Sequence, residues 1–394
     1  MLTNDFLGNK ISRLGFGAMR LPLGEDKLID PVQTQQMVDY TITHGVNYFD
    51  TAWPYHNGTS EVVLGECLKK YPRESFYLAN KYPGHQVMTS YVPEEIFEKQ
   101  LKKCQVEYFD YYLLHNVCEN SLPVYEDERW GIVEYFIRQK ELGRIRHLGL
   151  SSHARTENLE YILNRWGDVL EFCQIQCNYL DWTLQDAKGK YDLLTARNIP
   201  VIVMEPLHGG KLCTLEPEHM AKLDALRPGL TATAWALQFL KDLPNVKVTL
   251  SGMSNLTQMQ ENVATYGEET PLTEAERDTL LAIAESMKDA LPCTGCRYCT
   301  EGCPMELDIP MLIAAYNDLK FSKGGFTVGM QMDALPEDKL PSACIGCGAC
   351  AAICPQQIDI PAAMQSFTDL LAVTPKWADV CREREEAARR LAGK

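Results

Sequence analysis

Short apolar runs alternate with amphipathic segments along the chain from residue 13 to about residue 290. Segments such as 60–71 and 94–105 repeat their apolar residues at a spacing near 3.6, which is the period of an α-helix. The runs between such segments are rich in β-branched and aromatic residues, which indicates buried strands. Eight strand candidates follow from this pattern, at residues 13–19, 46–52, 76–82, 108–115, 145–151, 172–178, 200–205 and 246–252.

Eight strands that alternate with helices over about 250 residues predict an α/β fold, a (β/α)8 TIM barrel. An open doubly wound sheet is the alternative, but no Gly-x-Gly-x-x-Gly motif follows an early strand. Segment 273–291 predicts a closing helix, because Thr273 and Glu276 have the spacing of a capping box. We therefore place the barrel at residues 1–290.

The next segment carries eight of the chain's 15 cysteines, between Cys293 and Cys354. The pattern C-x2-C-x2-C-x3-C-P occurs twice, and each copy is followed at the same offset by Asp-Ile-Pro. This pattern resembles that of bacterial ferredoxins, in which three cysteines of one motif and the fourth of the other hold each [4Fe–4S] cube. We therefore expect one cluster on Cys293, Cys296, Cys299 and Cys354, and the other on Cys344, Cys347, Cys350 and Cys303.

Zinc is the alternative metal, since paired C-x2-C motifs also build zinc sites. A zinc ribbon, however, separates two pairs by a loop and does not place four cysteines so closely, twice. We therefore predict a smaller, mainly helical, ferredoxin-like dicluster domain at residues 291–361, with a helical stretch at 310–321, and a C-terminal helical tail at 362–394. Spacing alone leaves open whether the clusters transfer electrons or only stabilise the fold.

The composition limits the partners and the cellular location that are expected for the protein. Lys and Arg number 38 against 53 Asp and Glu, a net charge of −15, so neither nucleic acid nor an anionic membrane surface is an expected partner. No apolar run approaches the roughly 18 residues of a membrane span, and the first residues lack a signal-peptide core. We expect a cytoplasmic protein, in which the cysteines bind metal rather than form disulfides.

Four polar residues follow or end predicted strands, where the active sites of barrels lie. They are Asp50, Tyr55, Lys81 and His115. With the surrounding Phe-Asp-Thr-Ala, Gly58, Ser60-Glu61 and Leu64-Gly65, they resemble the aldo-keto reductase family over about residues 8–290. The resemblance implies a catalytic tetrad.

The chemistry of such a tetrad follows from its residue types. Carbonyl reduction needs a hydride at carbon and a proton at oxygen, but a free tyrosine, with a pKa near 10, is a poor acid at neutral pH. A neighbouring cation lowers that pKa, so Lys81 would activate Tyr55 and Asp50 would orient Lys81. His115 would bond the substrate oxygen or relay the proton.

The resemblance also implies NAD(P)H at the barrel mouth. Ser151, Ser152 and Gln174 match the positions that hold the carboxamide, with Ser152 in place of the usual asparagine, and Met204 matches the residue that faces the ring. The loop and helix start at 251–262 match the phosphate-binding segment, through Gly252, Ser254, Asn255, Gln258 and Asn262. That segment has no Lys or Arg, so NADH and NADPH both stay open; Lys211 is a further phosphate candidate.

We therefore expect an NAD(P)H-dependent oxidoreductase that interconverts a small-molecule carbonyl and an alcohol, with an appended dicluster module. Nicotinamide transfers two electrons as hydride whereas a cube accepts one, so FMN stays open as a mediator. A flavin-linked enzyme that passes electrons to a protein partner is the first alternative, and a non-enzymatic redox-sensing subunit is the second. Arg20, Trp53, His56 and Trp182 are candidates to line the substrate pocket.

Overall fold

The computed structural model describes residues 1–86, 88–119, 121–287, 290–321 and 326–374. The chain divides into two compact units, of which the first ends at Met287. Each unit has a hydrophobic core of its own. Residues 375–394 of the expected helical tail lie outside the described residues, and the division into three segments at 290 and 361 stays a proposal.

The first unit is a closed barrel of eight parallel strands, so the predicted fold class is confirmed. All eight predicted strands are present, each within three residues of its expected ends. Counting a preceding hairpin as β1 and β2, they are β3 (Leu14–Gly17), β4 (Tyr48–Asp50), β5 (Tyr77–Tyr82), β6 (Phe109–Leu114), β7 (Ile145–Ser152), β8 (Cys173–Gln176), β9 (Val201–Met204) and β10 (Val246–Ser251). β10 pairs with β3 and closes the ring.

The barrel strands are buried on both faces, which explains their continuous apolar runs. Every side chain of β6 is buried, because one face packs inside the barrel and the other packs under the outer helices. Gly149 in β7 permits close packing of the next strand, since a Cβ atom there would lie 2.6 Å from the backbone oxygen of Phe172. This packing brings the carboxyl ends of the strands together at one end of the barrel.

The hairpin of β1 (Thr3–Phe6) and β2 (Asn9–Ser12) was not anticipated from the sequence. Its strands, with the sequences TNDF and NKIS, are mostly polar, so they lack the apolar run that marks the barrel strands. Phe6 stacks on Tyr111 inside the barrel, with ring centroids 5.0 Å apart, and meets Phe172 edge-on. The hairpin therefore contributes to the interior core of the barrel.

Helices lie between and after the barrel strands. The capping box at Thr273 and Glu276 is confirmed, and the closing helix ends at Ser286 rather than at 291. The helices of this unit are α1 (Pro31–Thr43), α2 (Ser60–Leu68), α3 (Pro93–Cys104), α4 (Leu122–Glu126), α5 (Ile132–Glu141), α6 (Thr156–Trp166), α7 (Asp181–Leu184), α8 (Ala187–Ala196), α9 (Pro217–Asp224), α10 (Ala232–Lys241), α11 (Leu256–Thr265) and α12 (Glu274–Ser286).

The described part of the second unit is helical, as predicted. Its helices are α13 (Tyr298–Glu301), α14 (Ile309–Phe321), α15 (Phe326–Asp333), α16 (Ala349–Ile353) and α17 (Ile360–Ala372). The repeated Asp-Ile-Pro marks the starts of α14 and α17, where Asp359 accepts a hydrogen bond from the Ala362 N–H at 3.1 Å. The isoleucine of each repeat is buried in the core of this unit. The repeat is thus a helix-start motif.

Candidate active site and iron-sulfur ligands

The four residues expected to form a tetrad come from three consecutive strands and the loops after them. Asp50 ends β4, Lys81 lies in β5, His115 follows β6, and Tyr55 lies on the loop between β4 and α2. All four side chains are buried. The structure brings Asp50, Lys81 and Tyr55 into direct contact, and His115 lies beside Tyr55 with ring centroids 6.0 Å apart.

Lys81 is the centre of this arrangement. Its Nζ donates hydrogen bonds to Asp50 Oδ1, to the Thr51 carbonyl oxygen at 2.9 Å and to the Tyr55 hydroxyl oxygen at 3.4 Å. An ammonium group has three donors, and three acceptors surround this one. The Tyr55 hydroxyl oxygen thus accepts a hydrogen bond from a buried ammonium group.

Burial and pairing act against each other at Asp50 and Lys81. Burial raises the pKa of the Asp50 carboxyl and lowers the pKa of the Lys81 ammonium, since both charged forms lose water. Their mutual attraction opposes both shifts. The triple coordination of Lys81 Nζ favours the charged pair, so a positive charge lies next to the Tyr55 hydroxyl.

The signature residues around the tetrad hold the loop that carries Tyr55. The Ser60 hydroxyl donates to the Ala18 carbonyl oxygen at 2.9 Å and lies 3.0 Å from the Thr51 hydroxyl. Glu61 is fully buried and accepts from Asn80 at 2.9 Å and from Lys103 at 2.9 Å. These bonds attach the start of α2 to β5 and α3, which fixes the Tyr55 loop over Lys81.

His115 is held as a neutral imidazole. Its pKa lies well below the usual value, first because of burial and then because His85 and Lys81 repel a second positive charge. Its backbone carbonyl accepts a hydrogen bond from the Tyr125 hydroxyl at 2.8 Å, which also donates to the Tyr82 carbonyl at 3.0 Å. A neutral His115 can donate or accept a hydrogen bond but is not a cationic acid.

Two further histidines at this end of the barrel were missed in the sequence. The ring of His85 lies 4.3 Å from that of His115, and burial lowers the His85 pKa to about 4. His153 follows β7, and its burial lowers its pKa to about 3. The signal was available, because His85 lies three residues and His153 two residues after the end of a predicted strand. Gly84, which precedes His85, lets the chain pass close to Tyr125, because a Cβ atom at Gly84 would lie 2.6 Å from the Tyr125 ring.

The residues expected to hold the nicotinamide lie on β7 and β8, where Ser151 pairs with Gln174. Gln174 is buried, and its Oε1 lacks a hydrogen-bond partner within the described residues, as a site for an N–H donor requires. Ser152 differs, because its hydroxyl donates to the Val117 carbonyl at 2.7 Å and accepts from the Ala154 N–H at 3.1 Å. Gln174 therefore fits a carboxamide better than Ser152 does.

The expected phosphate-binding residues lie on the loop from β10 into α11. Asn255 caps the helix by accepting from the Gln258 N–H at 3.0 Å, and the Ser254 N–H donates to Gln258 Oε1 at 2.8 Å. Asn262 lies a turn further on, is buried, and donates to the Ser251 hydroxyl at 3.0 Å. Asn262 thus anchors the helix and does not reach its start.

Arg20 places a cation beside the 251–262 segment, whose own sequence has no Lys or Arg. The Arg20 side chain covers Gly252, where an added Cβ would lie 3.3 Å from it, and the Ser254 hydroxyl donates to the Arg20 carbonyl at 2.9 Å. Arg20 therefore lies at the expected phosphate loop, which the sequence could not show because 232 residues separate Arg20 from Gly252. Met204 ends β9 and is partly buried, and Lys211 lies on the loop after it.

The aromatic and histidine residues expected in the substrate pocket take part in packing. His56 Nε2 accepts from the Leu21 N–H at 3.1 Å. The Lys103 ammonium lies 4.0 Å from the centre of the Trp53 ring, and Trp182 packs edge-on against Phe239. These contacts give each side chain a structural role.

The eight cysteines of the repeat surround two separate cavities. Each cavity is lined by three cysteines of one motif and the last of the other, in the grouping expected from the sequence: Cys293, Cys296, Cys299 and Cys354, and Cys344, Cys347, Cys350 and Cys303. Within the described residues, no group of three or more histidine, cysteine or carboxylate side chains has the geometry to hold a single metal ion. Thiols spread around a cavity suit a cube that binds them at its corners.

Backbone N–H groups support this reading at Cys354. Those of Gln356, Gln357 and Ile358 point at its sulfur and lower its pKa, although burial raises it overall. N–H donors of this kind stabilise a thiolate ligand and tune the reduction potential of a cluster. The donor set at the first cavity therefore fits an iron–sulfur cube.

A parallel barrel with a buried lysine, aspartate and tyrosine at its strand ends has the architecture of a TIM-barrel enzyme. The chain belongs to the aldo/keto reductase family, whose model matches residues 13–285. Residues 292–358 match the model of the 4Fe-4S dicluster domain. The protein is thus an oxidoreductase of a nicotinamide-dependent family that acts on small carbonyl and alcohol compounds, with an iron–sulfur module.

Among the described residues, none of the helices has the length and apolarity to cross a membrane.

Individual relatives share about a quarter of the barrel sequence. A probable aldo-keto reductase of Glycine max is 25% identical over 65% of this chain and 81% of its own. L-galactose dehydrogenase of Arabidopsis thaliana is 27% identical over 66% of this chain and 86% of its own. NADH-specific methylglyoxal reductase of Escherichia coli is 26% identical over 62% and 85%, respectively.

A solved structure with the same fold is an aldo-keto reductase of Bacillus halodurans in its holo form. It superposes with a TM-score of 0.57 and is 24% identical, covering 72% of this chain and 96% of its own.

Proposed function

We propose that the protein interconverts a small carbonyl compound and its alcohol with NAD(P)H, and that Tyr55 supplies and removes the proton. The observation that carries this proposal is the Lys81 ammonium, which donates both to Asp50 and, at 3.4 Å, to the Tyr55 hydroxyl. A cation at a phenol oxygen stabilises the phenolate that remains after the proton has left. His115, as a neutral imidazole, would orient the substrate oxygen by a hydrogen bond.

The nicotinamide, when bound, would supply the hydride. Gln174 would hold its carboxamide, and Arg20 with the N–H groups at the start of α11 would bind its phosphates. Arg20 can serve either nucleotide, so both NADH and NADPH are included. Relatives named for L-galactose and methylglyoxal support a small polar substrate. The direct test is anaerobic oxidation of NADH and of NADPH with a panel of small aldehydes. The proposal would be rejected if no aldehyde raised the rate of oxidation above the rate measured without aldehyde.

The proposed carboxamide contact predicts a selective loss of nucleotide affinity. Gln174→Leu should weaken binding of NAD(P)H about threefold to tenfold, which corresponds to one neutral hydrogen bond. Fluorescence titration measures this change. ADP-ribose, which lacks the nicotinamide ring, is the matched control and should bind both proteins equally; equal weakening of both ligands would show that Gln174 has a merely structural effect.

We further propose that the two cavities hold two [4Fe–4S] clusters, with ligands exchanged between the motifs. Cys296 and Cys354 line the same cavity. The double variant Cys296→Ala, Cys354→Ala should therefore lose about four irons per chain, no more than either single variant. Combining Cys354→Ala with Cys347→Ala should remove about eight. Iron and sulfide analysis of the anaerobically purified variants measures these losses. Loss of all iron from the double variant Cys296→Ala, Cys354→Ala would refute the grouping.

The clusters raise an electron-counting question, because hydride carries two electrons and a cube accepts one. The second candidate function follows from this: a flavin such as FMN would split the pair and the clusters would pass single electrons to a protein partner. The dicluster match is the observation in its favour. An ultraviolet–visible spectrum of the purified protein separates the two, since flavin bands would add to the broad absorption of the clusters.

A further inference from the structure

The two cysteine cavities differ in how they meet the surface. At the cavity of Cys293, no cysteine is exposed, and Cys299 and Cys354 are buried. At the cavity of Cys344, by contrast, Cys347 is exposed. The second cavity therefore has one thiol at the protein surface, on the loop between Cys344 and α16.

The tip of this loop is open and uncharged. Ile345 is 63% exposed, and it is followed by Gly346, Cys347 and Gly348. A Cβ atom added to either glycine would meet no atom within 4 Å in the part of the chain that the structure describes. Both glycines have positive φ angles, of 70° and 78°, which turn the chain around Cys347. Among the described residues, no charged side chain lines this cavity, whereas Arg297 lines the other.

These features suit electron exchange with another protein. Electron tunnelling weakens steeply with distance, so a carrier must approach a ligand of the cluster closely. Side chains at the contact lengthen that distance, and glycines on both sides of an exposed cysteine remove them. An exposed isoleucine beside the cysteine offers apolar area for a small, short-lived interface of the kind that redox partners form.

We propose that the tip formed by Ile345, Gly346 and Cys347 is the docking site of a one-electron carrier protein with a basic rim. This inference rests on the proposed second cluster. The basic rim follows from charge, because acidic residues outnumber basic ones by eight to four between Cys293 and Pro361 and the chain has a net charge of −15. In the exchange one electron leaves the reduced cube for the oxidised carrier, and no bond is made or broken.

Charge placed at the tip should change the exchange rate in a predictable direction. In the reduced holoprotein, Ile345→Lys should speed oxidation by anionic hexacyanoferrate(III) and slow oxidation by cationic hexaammineruthenium(III), each about threefold to tenfold at low ionic strength. It should also slow the reduction of a basic c-type cytochrome, and Ile345→Glu should reverse all three effects. Stopped-flow absorbance of the clusters measures these rates, and high salt should abolish the differences.

The matched control is Val373→Lys, which adds the same charge at another exposed apolar residue, 79% exposed, of the second unit. Equal effects of the two lysines would overturn the docking site, as would a response to Arg297→Gln with none to Ile345→Lys. Iron analysis comes first for every variant. Fewer than about eight irons in the parent protein would reject the proposed clusters, whereas full iron with rates insensitive to Ile345 would reject only the docking site.

Discussion

Replacing Tyr55 with phenylalanine is expected to lower kcat/KM for carbonyl reduction by about 10²–10⁴, the usual contribution of a positioned acid. The phenyl ring fills the same volume and loses only the hydroxyl that accepts from Lys81 at 3.4 Å. Affinity for NAD(P)H and the unfolding temperature should change little. Steady-state kinetics under anaerobic conditions measure the loss.

Tyr161→Phe is the control, because Tyr161 is exposed and its hydroxyl bonds Glu126 on the outside of the barrel. This variant should keep its activity. Equal activity of Tyr55→Phe and the parent enzyme would remove Tyr55 from the chemistry and leave His115 as the remaining donor beside it.

The second large effect is expected at Lys81. Lys81→Met leaves the buried Asp50 carboxylate without its partner, which should lower the free energy of unfolding by about 3–5 kcal/mol. Activity should also be lost, because no cation remains at the Tyr55 hydroxyl. Urea unfolding and steady-state kinetics measure the two losses. In the double variant Lys81→Met, Asp50→Asn most of the stability should return, because the unpaired charge is gone, but none of the activity.

This loss of stability should depend on pH. In Lys81→Met, burial alone acts on Asp50 and holds its pKa above the unfolded value of about 3.9. A carboxyl with a raised folded-state pKa takes up a proton on folding, so the variant should approach the parent's stability in acid and fall further behind it as pH rises. A deficit independent of pH would show that Asp50 is not the source of the instability.

The sequence was sufficient to predict the barrel, because the barrel strands are buried on both faces and therefore appear in the sequence as separate apolar runs. The grouping of the cysteines around the two cavities was expected from the resemblance of the two motifs to those of bacterial ferredoxins. The hairpin at Thr3–Ser12 was missed because its strands are mostly polar and lack an apolar run. Contacts between distant segments were equally hidden.

Arg20 illustrates that limit. Its position beside Gly252 depends on the pairing of β3 with β10, which closes the barrel. No local pattern encodes that neighbourhood. Ser152 shows the reverse case, in which the family pattern suggested a cofactor contact but the hydroxyl bonds the Val117 carbonyl after β6 and the Ala154 N–H after β7. His85 could have been found, since it follows the strand of Lys81 by only a few residues.

Direct hydride transfer at the barrel is the central claim, and isotope labelling tests it most directly. NAD(P)H that carries deuterium at both C4 positions of the nicotinamide should place one deuterium on the carbinol carbon of the product, with hydrogen from water only on oxygen. A mediating flavin would exchange the label with solvent before transfer. Product with the label retained on carbon supports the account, and product with solvent hydrogen at that carbon would contradict it.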